Sequence, residues 1–382
     1  METRKLFYED SHLTEFTATV TACEPDKNRW VVQLDATAFY PEGGGQACDL
    51  GVLADANVLD VQEKEGKILH YCDKELKIGQ ILSGRVNWER RFDLMQQHSG
   101  EHIVSGIVCS RYGYHNVGFH VGSDRMEIDF DGPIPAEALA EIEALANRAV
   151  WQNLPIRCWY PSAEELPALP YRSKKALDWP VRIVQIPGTD DCACCGVHVK
   201  RTGEIGLIKL ISCVKFHSGV RIELCCGNRA LQLMQGIFEQ NRLVSQAFSA
   251  KMMETGAAAA KMNEQLAAEK LRANSLQTQL LRLTAAQYEK AGNAVHFEEN
   301  LDGSQLRELT DAIAKVCLGR AVVLCGKDES WNICMLHPRG DLNAVITALK
   351  AAFCVRGGGK PGTFQGTVQA SRSQLETFFS KM

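Results

Sequence analysis

The segment His98-Ser99-Gly100-Glu101-His102 carries the strongest chemical signal in the chain. Two imidazoles spaced this way leave one helix face about one turn apart, a common way to offer two nitrogens to one metal ion. Downstream, DDCACCGVHV repeats the spacing with Cys194 and His198, in a glycine-containing loop. Together the four side chains form a His3Cys set, and mixed nitrogen and sulfur donors favour Zn2+, one ion per chain. Cys192 and Cys195 are rivals for the thiolate. Cys194 is preferred because its spacing to His198 mirrors that of the histidine pair.

Two further motifs bear on chemistry. HSGEH also reads as HxxEH, the inverted zinc-peptidase motif, with Glu101 as general base. That reading needs a distant carboxylate ligand and gives the Cys/His pair no role. Thr37 to Gln46, TAFYPEGGGQ, is an extended apolar stretch ending in three glycines. Such a loop lets backbone approach a ligand closely, and the N–H groups of Gly44 and Gly45 are candidate donors beside Gln46.

These residues need elements to position them. Residues 1–87 alternate apolar and polar positions in short runs (TATVTAC, RWVVQLD, QILSGRVNW) broken by glycines, which predicts a small β-barrel or half-barrel. From Trp88 a helical period begins and carries HSGEH. A strand in GFHVGSDRMEIDFDG, a second helix over PIPAEALAEIEALANRAVWQN and further strands (VRIVQI, EIGLIKLISCVKFHSGV, RIELCCG) complete an α+β unit over 88–228. Residues 229–291 are nearly all helix formers and make a helical arm broken near Thr255-Gly256. Within it Met262, Leu266, Glu269, Ala273, Leu276, Leu280 and Leu283 follow heptad spacing. So short a seam fits an internal hairpin better than a dimer zipper, although a homodimer through the arm or the C-terminal domain stays open. Residues 292–382 return to α/β and contain the loop CVRGGGKPGTFQGTV. The expected class is therefore α+β throughout.

The 382 residues are too many for one ordinary core. No run of about 18 apolar residues suggests a membrane span, and METRKLFYEDSHLTEF does not read as a signal peptide. Most of the 15 cysteines, such as Cys23, Cys109, Cys213, Cys317 and Cys325, stand singly in apolar segments, which fits buried thiols in a reducing cytoplasm. A net charge of −4 argues against a strongly basic nucleic-acid binder but leaves room for a local patch. Residues 171–221 hold nine Lys/Arg against four Asp/Glu. Arg172, Lys174, Lys175, Lys200 and Arg201 are the candidate RNA contacts there, with Arg356 and Lys360 in the C-terminal glycine loop.

TAFYPEGGGQ, HSGEH and CCGVHVKRTGEIGLIKL, in this order and spacing, resemble the editing domain of alanyl-tRNA synthetase and its free-standing homologues, the AlaX proteins. The arm and RGGGKPGTFQG resemble the C-terminal domain of the synthetase and of the long AlaX form, itself similar to the tail domain of DHH phosphoesterases. The likeness covers nearly the whole chain. It implies an editing domain over 88–228 that binds zinc through His98, His102, Cys194 and His198, and a DHH-tail-like domain over 292–382. It implies hydrolysis of the ester joining serine, and often glycine, to the terminal adenosine of alanine tRNA. Thr37 matches the family threonine whose hydroxyl helps recognise serine. The synthetase activation domain has no counterpart, so no ATP chemistry is expected. Where the family reads CGGTH, this chain has Cys195 for the first glycine and Val197 for threonine, which puts a hydroxyl near the metal in doubt.

A labile ester needs positioning more than acid–base power. Zinc is expected to activate a water or to position the substrate, the latter favoured because four protein ligands leave no open position. A non-catalytic, zinc-containing tRNA-binding protein is the alternative of a different class.

Overall fold

The computed structural model describes residues 2–173, 180–327 and 329–382. Lys174 and Lys175, two of the candidate RNA contacts, lie outside the described residues. The chain divides into two compact units, residues 1–243 and 244–382.

In the first unit, beside a short parallel pair of Arg4–Lys5 with Ala36–Thr37 and a helical turn Leu6–Glu9, six strands build a barrel: β1 (Glu15–Asp26), β2 (Arg29–Leu34), β3 (Gly51–Leu53), β4 (Ala56–Lys64), β5 (Lys67–Cys72) and β6 (Ile81–Val86). Their antiparallel ladders run β1–β2–β5–β4–β3–β6 and return to β1, closing a barrel without free edges. In β6, Leu82, Gly84 and Val86 are buried while Ile81, Ser83 and Arg85 are exposed, so period-two patterning points one face into the barrel. Phe16, Val32, Leu34, Phe39, Val61 and Ile68 are among the side chains that fill it.

The helix α1 (Trp88–Tyr112) starts where the Asn87 side chain caps the Arg90 amide and ends at Gly113 in the left-handed conformation. Every residue from Leu94 to Val108 is buried. A helix embedded all round cannot send its polar side chains to water, so His98, Ser99, Glu101, His102 and Ser105 must find partners inside. Around α1 lie β7 (Asn116–Val121), β8 (Met126–Phe130), α2 (Leu139–Trp151), β9 (Arg157–Trp159), β10 (Ile183–Ile186), β11 (Asp190–Ala193), β12 (Ile208–Phe216) and β13 (Gly219–Cys226). They form two antiparallel sheets, ordered β12-β13-β8-β7 and β9-β10-β11. Ile103, Val104, Ile128, Ile142, Ile208 and Leu224 belong to the core beneath α1. Sequence periodicity extended the strand back to Glu204. Instead Thr202–Ile205 forms a single 3₁₀ turn, with the Thr202 hydroxyl bonded to the Ala149 carbonyl, and β12 begins at Ile208. The helix α3 (Gly227–Ala247) follows, with Leu231, Ile237 and Phe238 exposed.

The second unit contains α4 (Thr255–Ala286), β14 (Ala294–Glu298), α5 (Gly303–Val316), β15 (Ala321–Lys327), β16 (Ser330–Leu336), α6 (Asn343–Ala352), β17 (Cys354–Gly358), β18 (Thr363–Gln369) and α7 (Arg372–Ser380). Its five-stranded sheet is ordered β14-β15-β16-β18-β17. Capping boxes begin α5 (Asp302 with Gln305) and α7 (Ser371 with Gln374). The heptad seam of α4 does not pack into the core of this unit. Met262, Leu266, Leu276, Leu280 and Leu283 are 47–69% exposed, whereas Leu281 and Ala285, on a neighbouring face, join the core with α5. No described helix is long and apolar enough to cross a membrane.

Candidate metal centre and cleft

Helix α1 and the loop after β11 bring four ligand atoms together. The donor atoms of His98, His102, Cys194 and His198 all lie within 4.8 Å of one another. Cys194 Sγ is 3.4 Å from His98 Nε2, close to the edge of about 3.5 Å that zinc bonds of roughly 2.0–2.3 Å would give a tetrahedron.

Each imidazole is held from behind. His98 Nδ1 donates to Gln46 Oε1 at 2.8 Å, and His102 Nδ1 donates to Asp190 Oδ2 at 2.9 Å. His198 Nδ1 lies 3.2 Å from Ser99 Oγ. An amide or carboxylate oxygen can only accept, so each ring keeps a proton on Nδ1 and, once neutral, presents its Nε2 lone pair to the cluster. His198 Nε2 is buried and has no hydrogen-bond partner among the described residues. A buried orphan of this kind costs free energy unless something fills the gap. The donor set, its spacing and this orphan fit one metal ion.

The electrostatics point the same way. Burial alone would raise the Cys194 thiol, but the charges of His98 and His102 pull it well below its ordinary value. Burial opposes protonation of His102, yet the Cys194 thiolate and Asp190 hold it well above the usual histidine range. Burial pushes His198 down to about 3. A thiolate beside an imidazolium that would give up its proton to solvent when a cation binds is a ligand set ready to exchange protons for metal.

Asp190 is the hub behind His102. Arg172 grips its two oxygens at 2.6 and 2.8 Å. Arg172, expected from the sequence to contact RNA, thus lines the cleft with its guanidinium paired to a buried carboxylate. Arg182, only 8% exposed, donates to the carbonyls of Cys194 (3.0 Å) and Gly196 (2.7 Å) and so shapes the ligand loop. Gly196 has to be glycine, since a Cβ there would lie 2.1 Å from the His98 ring. Its N–H donates to Cys194 Sγ at 3.3 Å. Val197 is wholly buried in the hydrophobic core, so the departure from threonine is a packing change and leaves the ligand spacing intact.

The centre opens into a cleft of about 530 Å³, lined by Gly44, Gly45, His98, Glu101, Tyr160 and Arg182 among others. Gly44 and Gly45 have φ of 59° and 81° and sit between Gly43 and Gln46, which exchange two backbone hydrogen bonds. Positive φ at both central residues marks a type I′ turn. No backbone hydrogen bond among the described residues engages the N–H of Gly44 or Gly45. Glu101 is buried, and one oxygen accepts from Ser105 Oγ at 2.6 Å and from the Asn116 amide. Its other oxygen lies 3.8 Å from His102 Nε2.

Thr37 does not reach the cleft. It ends the two-residue strand Ala36–Thr37 and is fully buried, and its hydroxyl meets His70 Nε2 at 2.8 Å and the amide of Phe39, a barrel-core residue, at 3.1 Å. Lys200 pairs with Asp10 and Arg201 bonds the Asn153 carbonyl; Lys209 and Arg221 are likewise ion-paired. Four of the described cations of the basic stretch, Arg172, Lys200, Lys209 and Arg221, are thus ion-paired. In the second unit, Arg356 and Lys360 are exposed on and beside β17. Residue types alone missed Asp190, Arg182, Asn116 and Tyr160. Only the acidic pair Asp190-Asp191 just ahead of the cysteines hinted at the first.

Barrel, α+β layer and buried His3Cys cluster together define a protein with a metal-ready centre opening on a ligand-sized cleft. The pattern of the family described as tRNA synthetases class II (A) matches residues 2–90, and that of the threonyl and alanyl tRNA synthetase second additional domain matches residues 181–222. The alanine–tRNA ligase of Ignicoccus hospitalis is 30% identical over all of this chain and 43% of the ligase. That of Pyrococcus furiosus is 34% identical over 91% of this chain and 40% of the ligase. The alanyl-tRNA editing protein Aarsd1 of Mus musculus is 32% identical over 59% of each. The chain thus spans between 40% and 59% of the length of these curated relatives. Over these spans the chain is similar both to alanyl-tRNA synthetases and to an alanyl-tRNA editing protein.

Proposed function

We propose that the chain is a trans-editing hydrolase that deacylates mischarged alanine tRNA, with the serine ester as first substrate and the glycine ester as second. The observation that carries this reading is the His3Cys cluster at the base of a cleft that the glycine turn also lines. His98, His102, Cys194 and His198 would hold one Zn2+, which when bound supplies Lewis-acid polarisation and an anchor for a polar substrate group. Gln46, Asp190 and Ser99 keep the three imidazoles in the ligating orientation. The free N–H groups of Gly44 and Gly45 are the donors for negative charge developing on the ester carbonyl oxygen. Glu101, held by Ser105 and Asn116, is the base that takes a proton from the attacking water. The peptidase reading leaves Cys194 and His198 idle, whereas the cluster uses both.

The RNA is the partner this reading requires, with Arg356 and Lys360 as cationic contacts in the second unit. The exposed seam of α4 is offered as a surface for a second copy of the chain.

Deacylation of serine-charged and alanine-charged alanine tRNA by wild type and Cys194→Ala, with zinc content measured alongside, tests the reading. Loss of the serine ester only, with Cys194→Ala slower by at least about a hundredfold and depleted in zinc, is expected. A zinc-loaded wild type that hydrolyses neither ester overturns it.

A further inference from the structure

The cleft wall carries apolar surface that the centre's chemistry does not use. Tyr160 is 52% exposed and Val117 is 63% exposed, and both line the cleft together with His98 and Cys194. Tyr160 follows β9 directly and is braced on one side. Its ring meets Tyr8 edge to face, with centroids 6.3 Å apart and planes at 73°. Tyr8 is itself fixed: its hydroxyl donates to the Cys195 carbonyl at 2.7 Å, and the Arg182 guanidinium lies 4.5 Å over its ring. Arg182 in turn holds the ligand loop. Tyr160 is thus a half-exposed aromatic ring whose position is tied, through two side chains, to the loop that carries Cys194.

A ring of this kind suits a flat aromatic ligand, because a preset ring loses little conformational freedom when it stacks. Serine, glycine and alanine offer at most a hydroxymethyl, a hydrogen or a methyl, too small to cover an aromatic ring. The part of an ester substrate that is planar and aromatic is the base of the nucleotide bearing the ester. A cleft of about 530 Å³ falls within the usual range of roughly 300–1,000 Å³ for small-ligand sites, room for a nucleoside with an attached amino acid. Resting on the deacylase reading above, we infer that Tyr160, with Val117 beside it in the cleft lining, is the stacking surface for the base of the terminal nucleotide. The ring sets the position of the ribose, and so of the ester, relative to the centre.

The test compares wild type, Tyr160→Ala, Tyr160→Phe and Tyr160→Trp, each as full-length zinc-loaded protein, on two substrates. One is serine-charged alanine tRNA. The other is the serine ester of a ribose that carries no base. On the tRNA, Tyr160→Ala is expected to raise KM by roughly 5- to 150-fold, the size of one base–aromatic stack, with kcat changed less than KM. Tyr160→Phe and Tyr160→Trp retain near wild-type KM. On the base-free ester all four proteins act alike. Equal KM for Tyr160→Ala and wild type on tRNA overturns the inference. So does an equal loss on the base-free ester, which makes the ring a structural support, and so does failure of Tyr160→Phe to restore binding, which makes the hydroxyl the contact. A wild type inactive on both substrates removes the deacylase reading itself, an outcome distinct from these.

Discussion

His70 in the barrel and the cluster around His98 are buried in the same unit, yet they differ in kind. Both ring nitrogens of His70 are satisfied, by Thr37 Oγ1 at 2.8 Å and the Val32 carbonyl at 3.1 Å. Burial lowers it to about 4, and it stays neutral. In the cluster, thiolate and imidazole move in opposite directions, and His198 Nε2 is left without a partner. Burial of a histidine is thus no mark of a site. The mark is a set of donors whose back sides are fixed and whose front sides are unspent, beside an opening. The difference also reassigns Thr37, which serves the closed site.

The largest way to sharpen this contrast is pH. A histidine near 6.5 when unfolded and near 4 when folded leaves the unfolded state holding more protons between those values. Its stabilising contribution is present above pH 6.5 and is lost as pH falls from 6.5 to 4. That loss amounts to roughly 3 kcal/mol at most. Denaturant midpoints of wild type against His70→Asn, both zinc-loaded, should diverge across this window; parallel curves would break the assignment of His70 as a buried neutral group. Next in size is Asp190→Asn, which removes the acceptor that keeps the His102 ring in place and strands Arg172. It should weaken zinc binding about 10- to 100-fold in a competition titration, while His70→Asn leaves zinc affinity unchanged. The smallest effect belongs to Thr37→Val. Losing one buried hydrogen bond should cost about 1 kcal/mol of stability and leave the preference for serine over alanine esters as in wild type. A collapse of that preference would return Thr37 to substrate recognition.

Period-two and helical patterning placed β1, β2, β6 and α1, because one-sided and all-round burial write different periods into sequence. Strands β4 and β5 escaped notice. VLDVQEK and KILHYC carry charges at their ends, and only closure of the barrel gives them a partner on each side. The α4 seam misled for the opposite reason: a heptad says that a face is apolar, not what covers it.

Residue type and spacing singled out His98, His102 and His198 and preferred Cys194 over its rivals Cys192 and Cys195, since a turn of helix and a short loop each limit the distance between two ligands; the fold brings Cys194 to the three imidazoles. Which atom of each ligand faces the ion, and what holds it there, came from residues far away in the chain. Gln46 lies 52 positions from His98, and Asp190 lies 88 from His102. The tertiary structure also decided that Thr37 turns into the barrel, that Arg172 serves Asp190, and that Tyr160 faces the cleft. A side chain's direction within a strand is local. What it meets there depends on how the sheets close and on the packing of α1, and no spacing rule carries that information.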